Sequence, residues 1–471
     1  MNKYFINLEQ GDTPKYITIV KHIKKLIDSN KIEDGEKLPS IRILSELLHV
    51  NNVTIVNAYK KLQNEGYAIQ KIGSGTYAKK KEVNKSFKRE YSEVIKKISG
   101  KLLNEYIDFT GETPCSKFFP VNSFKDVLNE VLDRDGAEAL IYQESLGYEG
   151  LRKSISNIFW DNRIKSEDIL IVSGAQQGID IISKALINSN DTVVVENPTY
   201  SGALSVFKWR RADILEVPME RDGVDIPKFE KILRKNNVKC FYTMSYFQNP
   251  TGMSYSIEKK LQLLRLAEIY NFYIIEDDYL SELIYDDNIQ YKSFKSLDKN
   301  DRVIYIKSFS KIFLPGIRIG YLVPPARFRE VIENSKINTD ISTSSLMQRA
   351  LDLYINKGFW RDYISNLNTI YKDRYIFTQK CIEETLKEKV YFTSPGGGLH
   401  FYLKINDEIN INSIELFREA KNRKVLITPG ILFYKNPSEG EKYFRIGFSQ
   451  MDKENIKIGL ETINEVMNAY R

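Results

Sequence analysis

The chain has 471 residues, of which 42% are hydrophobic and 28% charged. That mixture is typical of a globular protein with a large core, and the length predicts two to four domains. No apolar run approaches the ~18 residues that a membrane span needs, and the N-terminus lacks the apolar stretch of a secretory signal, so we expect a cytoplasmic protein. Only three cysteines and three histidines are present, scattered along the chain, which argues against metal clusters and histidine-based triads. We therefore expect reduced thiols and no metal site.

The positive charge is concentrated at the N-terminus. Residues 1–100 contain 19 Lys+Arg and 11 Asp+Glu, a net charge of +8, whereas the rest of the chain carries −1. A basic segment attached to a nearly neutral one indicates that a polyanion binds the first part only.

The basic segment has the pattern of three helices followed by a hairpin. Residues 12–27 carry the apolar stripe of an amphipathic helix, and Pro39 and Ser40 open a second. Asn51 is a plausible N-cap for a third helix, and two short alternating runs flank residues 71–75. Three helices and a hairpin in so short a stretch are the layout of a winged helix-turn-helix.

Such a module could bind DNA, or it could serve dimerisation or docking. Three features favour DNA: the concentrated charge, the short polar side chains that the third helix exposes, and the basic, glycine-rich hairpin tip. Phosphates attract Lys and Arg, base edges are read by short polar groups, and a glycine tip approaches a groove closely.

Residues 14–78, which include KLPSIRILSELLHVNNVTIVNAYKKLQNEGYAIQKIGSGTYA, resemble the GntR-type winged helix-turn-helix. In that family an arginine of the second helix, the start of the recognition helix and the wing contact DNA. The resemblance makes these residues candidates for binding double-stranded operator DNA: Arg42, Asn51, Asn52, Thr54, Asn57, Lys71 and Gly75. The family usually opens the recognition helix with Ser-Arg, where this chain has two asparagines. An asparagine can read adenine, but a guanidinium that would clamp the DNA backbone is missing.

Beyond a Lys-rich stretch the sequence pattern changes to that of an α/β domain. Short apolar runs alternate with helical patterns and predict buried strands in a mostly parallel sheet, and a later strand-rich stretch predicts a smaller α+β lobe. The predicted strands are 169–174, 192–196, 239–245, 272–277, 302–309 and 317–323. The predicted domains are a winged helix-turn-helix (1–79), a linker (80–105) and an α/β domain (106–471), with a large lobe at about 125–330 and a small one at about 331–471.

Lys311 is the residue that suggests a chemistry. It follows a predicted strand within SFSKIFLPGIRIGYL, beside two serines and seven residues before Arg318. An amine in that setting suits an internal aldimine with pyridoxal 5'-phosphate, and hydroxyls with an arginine can hold a phosphate. A surface lysine in a loop is the plain alternative.

Other residues at predicted strand ends fit the same cofactor. Asp277, or its neighbour Asp278, can pair with the pyridinium nitrogen, and cofactors in open α/β sheets lie beyond the carboxyl ends of the strands. Backbone amides at the start of a helix form an anion site, and a tyrosine can stack on a ring. The predicted cofactor-binding residues are Gly174, Ala175, Gln176, Tyr200, Asn249, Asp277, Tyr279, Ser308, Ser310, Lys311 and Arg318.

This pattern resembles the fold-type-I, pyridoxal phosphate-dependent aminotransferases over residues 106–471, with further matches at GYEGLR, GGLH and YFRIGFS. The resemblance implies that Lys311 is the catalytic lysine and that Arg445 binds the carboxylate of a substrate or effector. A GntR-type head on such a body resembles the MocR/GabR transcriptional regulators, which implies a head-to-tail homodimer on paired operator half-sites.

The expected function is transcription regulation in which an amino acid, another amine or pyridoxal phosphate itself is sensed through aldimine chemistry at Lys311. The alternative is an active aminotransferase of an amino acid that carries a DNA-binding head, and weak transaminase activity is compatible with both.

Overall fold

The computed structural model describes residues 2–6, 14–28, 31–33, 35–71, 74–79, 83–97 and 105–470. The chain divides into two compact units, residues 1–102 and residues 103–471, which are described separately. Among the described residues, no helix combines the length and the apolar character that crossing a bilayer requires.

The first unit has the predicted three helices and hairpin. Its elements are α1 (Lys15–Asp28), α2 (Ile41–Leu48), α3 (Asn52–Asn64), β1 (Ala68–Lys71), β2 (Gly75–Ala78) and α4 (Val83–Lys97). The side chain of Ser40 caps α2 by accepting from Ile43 N, and that of Asn51 caps α3 by accepting from Val53 N. Both cap residues adopt extended backbone, so each ends the preceding segment and satisfies an amide that the helix leaves unpaired.

One apolar core holds the first unit together. The stripe of α1 packs with Leu44, Ile55 and Leu62, all fully buried. β1 and β2 pair antiparallel, Ala68 opposite Ala78 and Lys71 opposite Gly75. The hairpin is confirmed, although its turn residues 72 and 73 lie outside the described residues. Helix α4 occupies part of the predicted linker, of which residues 80–82 and 98–104 are also outside the described part.

The second unit opens with β3 (Ile107–Asp108), and its larger lobe is a sheet flanked by helices. The helices are α5 (Val121–Asp135), α6 (Glu149–Trp160), α7 (Ala175–Leu186), α8 (Ser201–Trp209), α9 (Ile226–Lys235), α10 (Ile257–Ile269), α11 (Phe294–Leu297), α12 (Arg329–Ile337) and α13 (Ser345–Asn356). The strands are β4 (Leu170–Val172), β5 (Thr192–Asn197), β6 (Asp213–Glu220), β7 (Gly223–Val224), β8 (Val238–Thr243), β9 (Tyr273–Asp278), β10 (Val303–Ser308) and β11 (Gly320–Val323).

The eight strands form one sheet in the order β4-β11-β10-β9-β8-β5-β6-β7. The four pairings from β10 to β6 are parallel, whereas β11 is antiparallel to both of its neighbours and β7 is antiparallel to β6. The central strands are buried on both faces, as their continuous apolar runs predict. Because β4, β5, β8, β9 and β10 run the same way, their carboxyl ends meet at one edge of the sheet.

A smaller α+β lobe completes the second unit. It contains α14 (Phe359–Thr385), β12 (Val390–Phe392), β13 (His400–Ile405), α15 (Ser413–Asn422), β14 (Val425–Leu426), β15 (Thr428–Pro429), β16 (Tyr443–Gly447) and α16 (Lys453–Asn468). The sheet β12-β13-β16-β15 is antiparallel, and β14 pairs instead with β3. Arg445, the predicted carboxylate-binding residue, lies on β16 of this smaller lobe.

Candidate active site

A cavity of about 130 Å³ lies at the carboxyl edge of the large sheet. It is lined by Glu112, Ala175, Gln176, Tyr200, Met244, Asn249, Asp277, Tyr279, Ser308, Ser310, Lys311 and Arg318. Ten of these residues are sequence-predicted cofactor residues, and the structure brings them together from six separate segments. Sequence reasoning missed Glu112 and Met244.

One end of the cavity is built to receive an anion. Gly174 (φ +91°) precedes α7, whose first residues Ala175 and Gln176 line the cavity, and a helix start is a favourable place for an anion. Arg318, itself in the left-handed region at φ +51°, donates from Nη2 to Ser173 O over 2.8 Å. A Cβ at Gly174 would lie 2.9 Å from that Nη2 and would displace the end of the Arg318 side chain, while the positive φ favours glycine in its own right.

Lys311 and two serines follow β10 on the same side. Lys311 Nζ lies 2.7 Å from Glu112 Oε2, and this ion pair is partly buried. Ser310 Oγ is buried without a hydrogen-bond partner within the described residues. A buried hydroxyl in that condition is unusual and indicates a site that takes a polar ligand.

Asp277 and Asp278 lie side by side on β9 but point to opposite faces of the sheet. Asp277 lines the cavity, where it accepts from Tyr242 Oη at 2.7 Å, and its Oδ1 has no partner among the described residues. Burial raises the pKa of Asp277 to about 6, with Asp278 adding to the shift. The sequence left open whether Asp277 or Asp278 faces the cofactor site. In the structure it is Asp277 that lines the cavity.

Asp278 belongs to a separate buried network. It pairs with Lys307 at 3.1 Å and accepts from the hydroxyls of Ser281, Tyr291 and Tyr305. Burial opposes ionisation of Asp278, but Lys307 and these hydroxyls leave its pKa below the usual value. Its charge is thus satisfied away from the cavity.

The aromatic and amide side chains of the cavity are held by neighbours. Tyr200 donates from its hydroxyl to Gln176 Oε1 at 3.2 Å. Tyr279, one of the predicted cofactor-binding residues, donates in this structure to Phe247 O at 2.6 Å. Asn249 is bonded on one side to Glu112 and on the other to Arg445, so its amide is fixed in orientation.

Arg445 faces the cavity edge with a partner that the sequence did not predict. Its Nη1 pairs with Glu112 Oε1 and donates to Asn249 Oδ1 at 2.7 Å, and Nη2 reaches Thr110 O and Thr428 Oγ1. Burial alone would raise the pKa of Glu112, but Arg445 and Lys311 hold that pKa far below its usual range. Glu112 is therefore an ionised carboxylate between two cations.

Behind the cavity, the buried Glu196 orients the loop that carries Asn249. Glu196 accepts from Thr243, Tyr255 and Gln248, and Gln248 in turn accepts from Thr251 N and Oγ1. Burial raises the pKa of Glu196 to about 7. This network fixes the turn at residues 248–251 and thereby holds Asn249 in the lining of the cavity.

The first unit presents the predicted DNA-binding residues in varied settings. Arg42 is 86% exposed and pairs with Glu46, and Asn57, Lys71 and Gly75 are also exposed, whereas Thr54 is half-buried. Asn51 and Asn52 have structural partners as well: Asn51 caps α3, and Asn52 Oδ1 accepts from Ser45 Oγ at 2.6 Å. Asn51 thus fixes the start of α3, and Asn52 ties α3 to α2.

The cavity fits pyridoxal phosphate. The unpartnered Asp277 Oδ1 suits a ring nitrogen, and the helix start beside Arg318 suits a phosphate. The unpartnered Ser310 hydroxyl and the Lys311 amine complete a set of donors and acceptors that matches the cofactor group by group. Within the described residues no group of His, Cys, Asp and Glu could hold a metal ion, and the three cysteines are buried and unpaired.

Comparisons with known proteins agree with this geometry. Residues 115–463 match the model of aminotransferase class I and II, so the chain belongs to that family, and residues 15–78 match the bacterial regulatory proteins of the gntR family. It is 30% identical to aromatic-amino-acid aminotransferase 1 of Thermococcus litoralis over 80% of this chain and 92% of that protein. It is also 29% identical to the uncharacterized HTH-type transcriptional regulator YdfD of Bacillus subtilis over 95% of each.

Solved structures extend the comparison for the second unit. The kynurenine aminotransferase of Pyrococcus horikoshii in complex with PMP aligns with a TM-score of 0.76 and 31% identity, covering 81% of this chain and 94% of that one. The α-aminoadipate aminotransferase LysN of Thermus thermophilus, complexed with N-(5'-phosphopyridoxyl)-L-leucine, has a TM-score of 0.73 at 25% identity, covering 79% and 94%. Family and complexes indicate pyridoxal phosphate as the cofactor. The chain is a MocR-type transcription regulator: a GntR DNA-binding unit joined to a fold-type-I aminotransferase-like unit.

Proposed function

We propose that the second unit senses a small primary amine, either an amino acid or a simple amine, through Lys311, and that ligand binding alters the affinity of the first unit for operator DNA. The observation that carries this proposal is the convergence of Lys311, the buried Asp277 and the anion cradle at Gly174 on one cavity, in a chain that also has a DNA-binding unit. Pyridoxal phosphate as the signal itself is a variant of the same proposal.

Each residue of the cavity has a proposed role. Lys311 would hold the cofactor, Asp277 would face its ring nitrogen, and Tyr200 would cover the ring. The amides of Gly174, Ala175 and Gln176 would hold the phosphate together with Ser308, Ser310 and Arg318, and Tyr279 and Asn249 would bond the ring oxygen. When bound, pyridoxal phosphate supplies an aldehyde that condenses with primary amines. Arg445, a planar two-pronged donor, would receive the carboxylate of an amino acid.

We further propose that DNA contacts come from Arg42, Asn51, Asn52, Thr54, Asn57, Lys71 and Gly75. Two-fold related units would match paired half-sites, so the proposed active form is a head-to-tail homodimer. Light scattering of the free protein and of its operator complex tests this part: a 1:1 complex of one chain with one operator would contradict it.

The decisive experiment combines cofactor absorbance with DNA binding. Amino acids and amines are screened for a shift in the absorbance of the cofactor-saturated protein, and the active ligand is then tested for its effect on operator affinity by fluorescence anisotropy. We expect a 5- to 150-fold change, about the usual range of coupling between two sites. A ligand that shifts the absorbance and leaves operator affinity unchanged at several salt concentrations would contradict the coupling.

The role of Lys311 has its own control. Lys311→Arg keeps a cation opposite Glu112 but cannot condense with an aldehyde, so it should lose the absorbance response while retaining the fold. Borohydride reduction and peptide mapping of the wild type should place the adduct on Lys311; an adduct elsewhere would overturn the proposal.

An active aminotransferase is the second candidate, favoured by the 30% identity to an aromatic-amino-acid aminotransferase. It predicts multiple turnovers with a keto acid and indifference to removal of residues 1–79. A regulator predicts little turnover and loss of DNA binding when those residues are removed.

A further inference from the structure

Glu112 lies where an anion bound by Arg445 would be expected. Its carboxylate meets Arg445 Nη1 and Asn249 Nδ2, the latter at 3.1 Å, and reaches Lys311 Nζ at 2.7 Å. Arg445 is 3% exposed, its Nη2 donates to Thr110 O and Thr428 Oγ1, and its Nε is buried without a hydrogen-bond partner among the described residues. The chain therefore supplies its own carboxylate to the guanidinium that would otherwise be free for one from outside.

The loop that carries Glu112 is anchored on both sides, so this contact is built into the fold. On its N-terminal side, Gly447 N donates to Phe109 O at 2.7 Å. On its C-terminal side, Gln450 Nε2 donates to Thr113 O at 2.6 Å, and Cys115 N donates to Tyr371 Oη at 2.8 Å. These bonds hold the backbone while the Glu112 side chain spans the gap to Arg445.

The charges around Glu112 determine the consequence. A ligand carboxylate that pairs with Arg445 through Nη1 must displace Glu112 from a buried cation, and any carboxylate bound there lies close to that of Glu112, with Asp277 as a third in the same cavity. A primary amine without that carboxylate meets no such competition and leaves the Arg445–Glu112 pair intact.

We propose that Glu112 is a specificity-determining residue that occupies the carboxylate subsite of Arg445, so that the site favours primary amines whose amine-bearing carbon has no carboxylate. This inference rests on the proposed amine sensing at Lys311 and names the ligand class for it.

The test uses the cofactor-saturated full-length protein and three ligand pairs that differ only by the carboxylate: L-alanine and ethylamine, L-phenylalanine and 2-phenylethylamine, L-lysine and 1,5-diaminopentane. Each ligand is titrated against the cofactor absorbance, and the affinity ratio of amine to amino acid is compared between proteins. That comparison cancels the intrinsic difference between the two amines of a pair.

We expect Glu112→Ala to change this ratio at least tenfold towards the amino acid, mainly by tightening amino-acid binding. Glu112→Gln, which keeps a neutral oxygen for Arg445 and guards against misfolding, should change it in the same direction by less. Glu149→Ala removes an exposed carboxylate far along the chain and serves as the charge-matched control, with no change in the ratio.

The possible failures are distinguishable. If ligands shift the absorbance but the ratio stays within twofold of wild type in both Glu112 variants, the specificity role is wrong and the amine-sensing proposal survives. If none of the six ligands changes the absorbance of any variant, amine sensing is wrong and the role of Glu112 falls with it.

Discussion

At the scale of single residues, Asp277 shows a conflict between stability and binding. Its raised pKa, about 6 against 3.8, means that the folded protein without cofactor binds a proton there that the unfolded chain has already released. Stability from this group is therefore full at low pH and is lost as the pH rises from about 4 through about 6. The loss amounts to about 3 kcal/mol, since one pKa unit corresponds to about 1.4 kcal/mol.

Asp277→Asn should consequently stabilise the cofactor-free protein near pH 7.5 and weaken cofactor binding. Near pH 4, where the wild-type carboxyl is protonated, the two melting temperatures should converge. Thermal melts at both pH values, with and without pyridoxal phosphate, test this expectation. Equal melting of the two cofactor-free proteins at pH 7.5 would contradict it.

Gly174 offers a second test at this scale. Gly174→Ala places a Cβ against the Arg318 guanidinium and imposes an unfavourable positive φ, so the end of Arg318 must shift and the backbone at the start of α7 is strained. We expect at least a tenfold loss of cofactor affinity, measured by absorbance titration. Gly316→Ala, where a Cβ would meet nothing within 4 Å, is the matched control and should bind normally.

The sequence was sufficient to predict those cavity residues that follow buried strands, but it did not predict Glu112. Lys311 and Asp277 could be placed because strand ends in a parallel sheet converge, but nothing in the sequence separated Asp277 from Asp278. Alternation along β9 in the structure decides which carboxylate faces the cavity. Glu112 lies in an irregular loop, where neither helical nor strand periodicity applies, so its ion pairs with residues about 200 and 330 positions away had no local signal.

At the scale of elements, α3 depends on its cap. Asn51→Ala removes the side chain that accepts from Val53 N, and the first unit should lose about 1 kcal/mol of stability. Asn51→Asp keeps the cap and should retain that stability, while its negative charge lowers DNA affinity. Urea unfolding and DNA titration separate the two effects; equal stability of all three proteins would mean that the cap contributes nothing.

The prediction of strands from the sequence failed where a strand is only partly buried. The central strands were predicted because both of their faces are apolar, but β6 has exposed and half-buried positions along its length and carries charged residues, so its sequence did not indicate a strand. The antiparallel direction of β11 was equally out of reach, since it depends on how residues 309–319 return the chain to β10 and not on the residues of β11 itself.

At the scale of the whole molecule, the uneven charge predicts the salt dependence of DNA binding. Each lost phosphate contact lowers the slope of log affinity against log salt by about 0.9. Arg42→Ala should therefore weaken operator binding and reduce the magnitude of that slope by about 0.9, the value for one phosphate contact, with cofactor absorbance unchanged. Lys380→Ala, an exposed lysine of the near-neutral second unit, should leave the slope as it is. Loss of both DNA binding and cofactor absorbance in Arg42→Ala would indicate misfolding instead.

The loop with Glu112 lies within the first ten residues of the second unit, directly after β3. The chain thus pairs with β14 through β3 and then contributes the Glu112 side chain to the lining of the ligand cavity. The ligand site therefore begins a short stretch of chain after the segment that joins the two units.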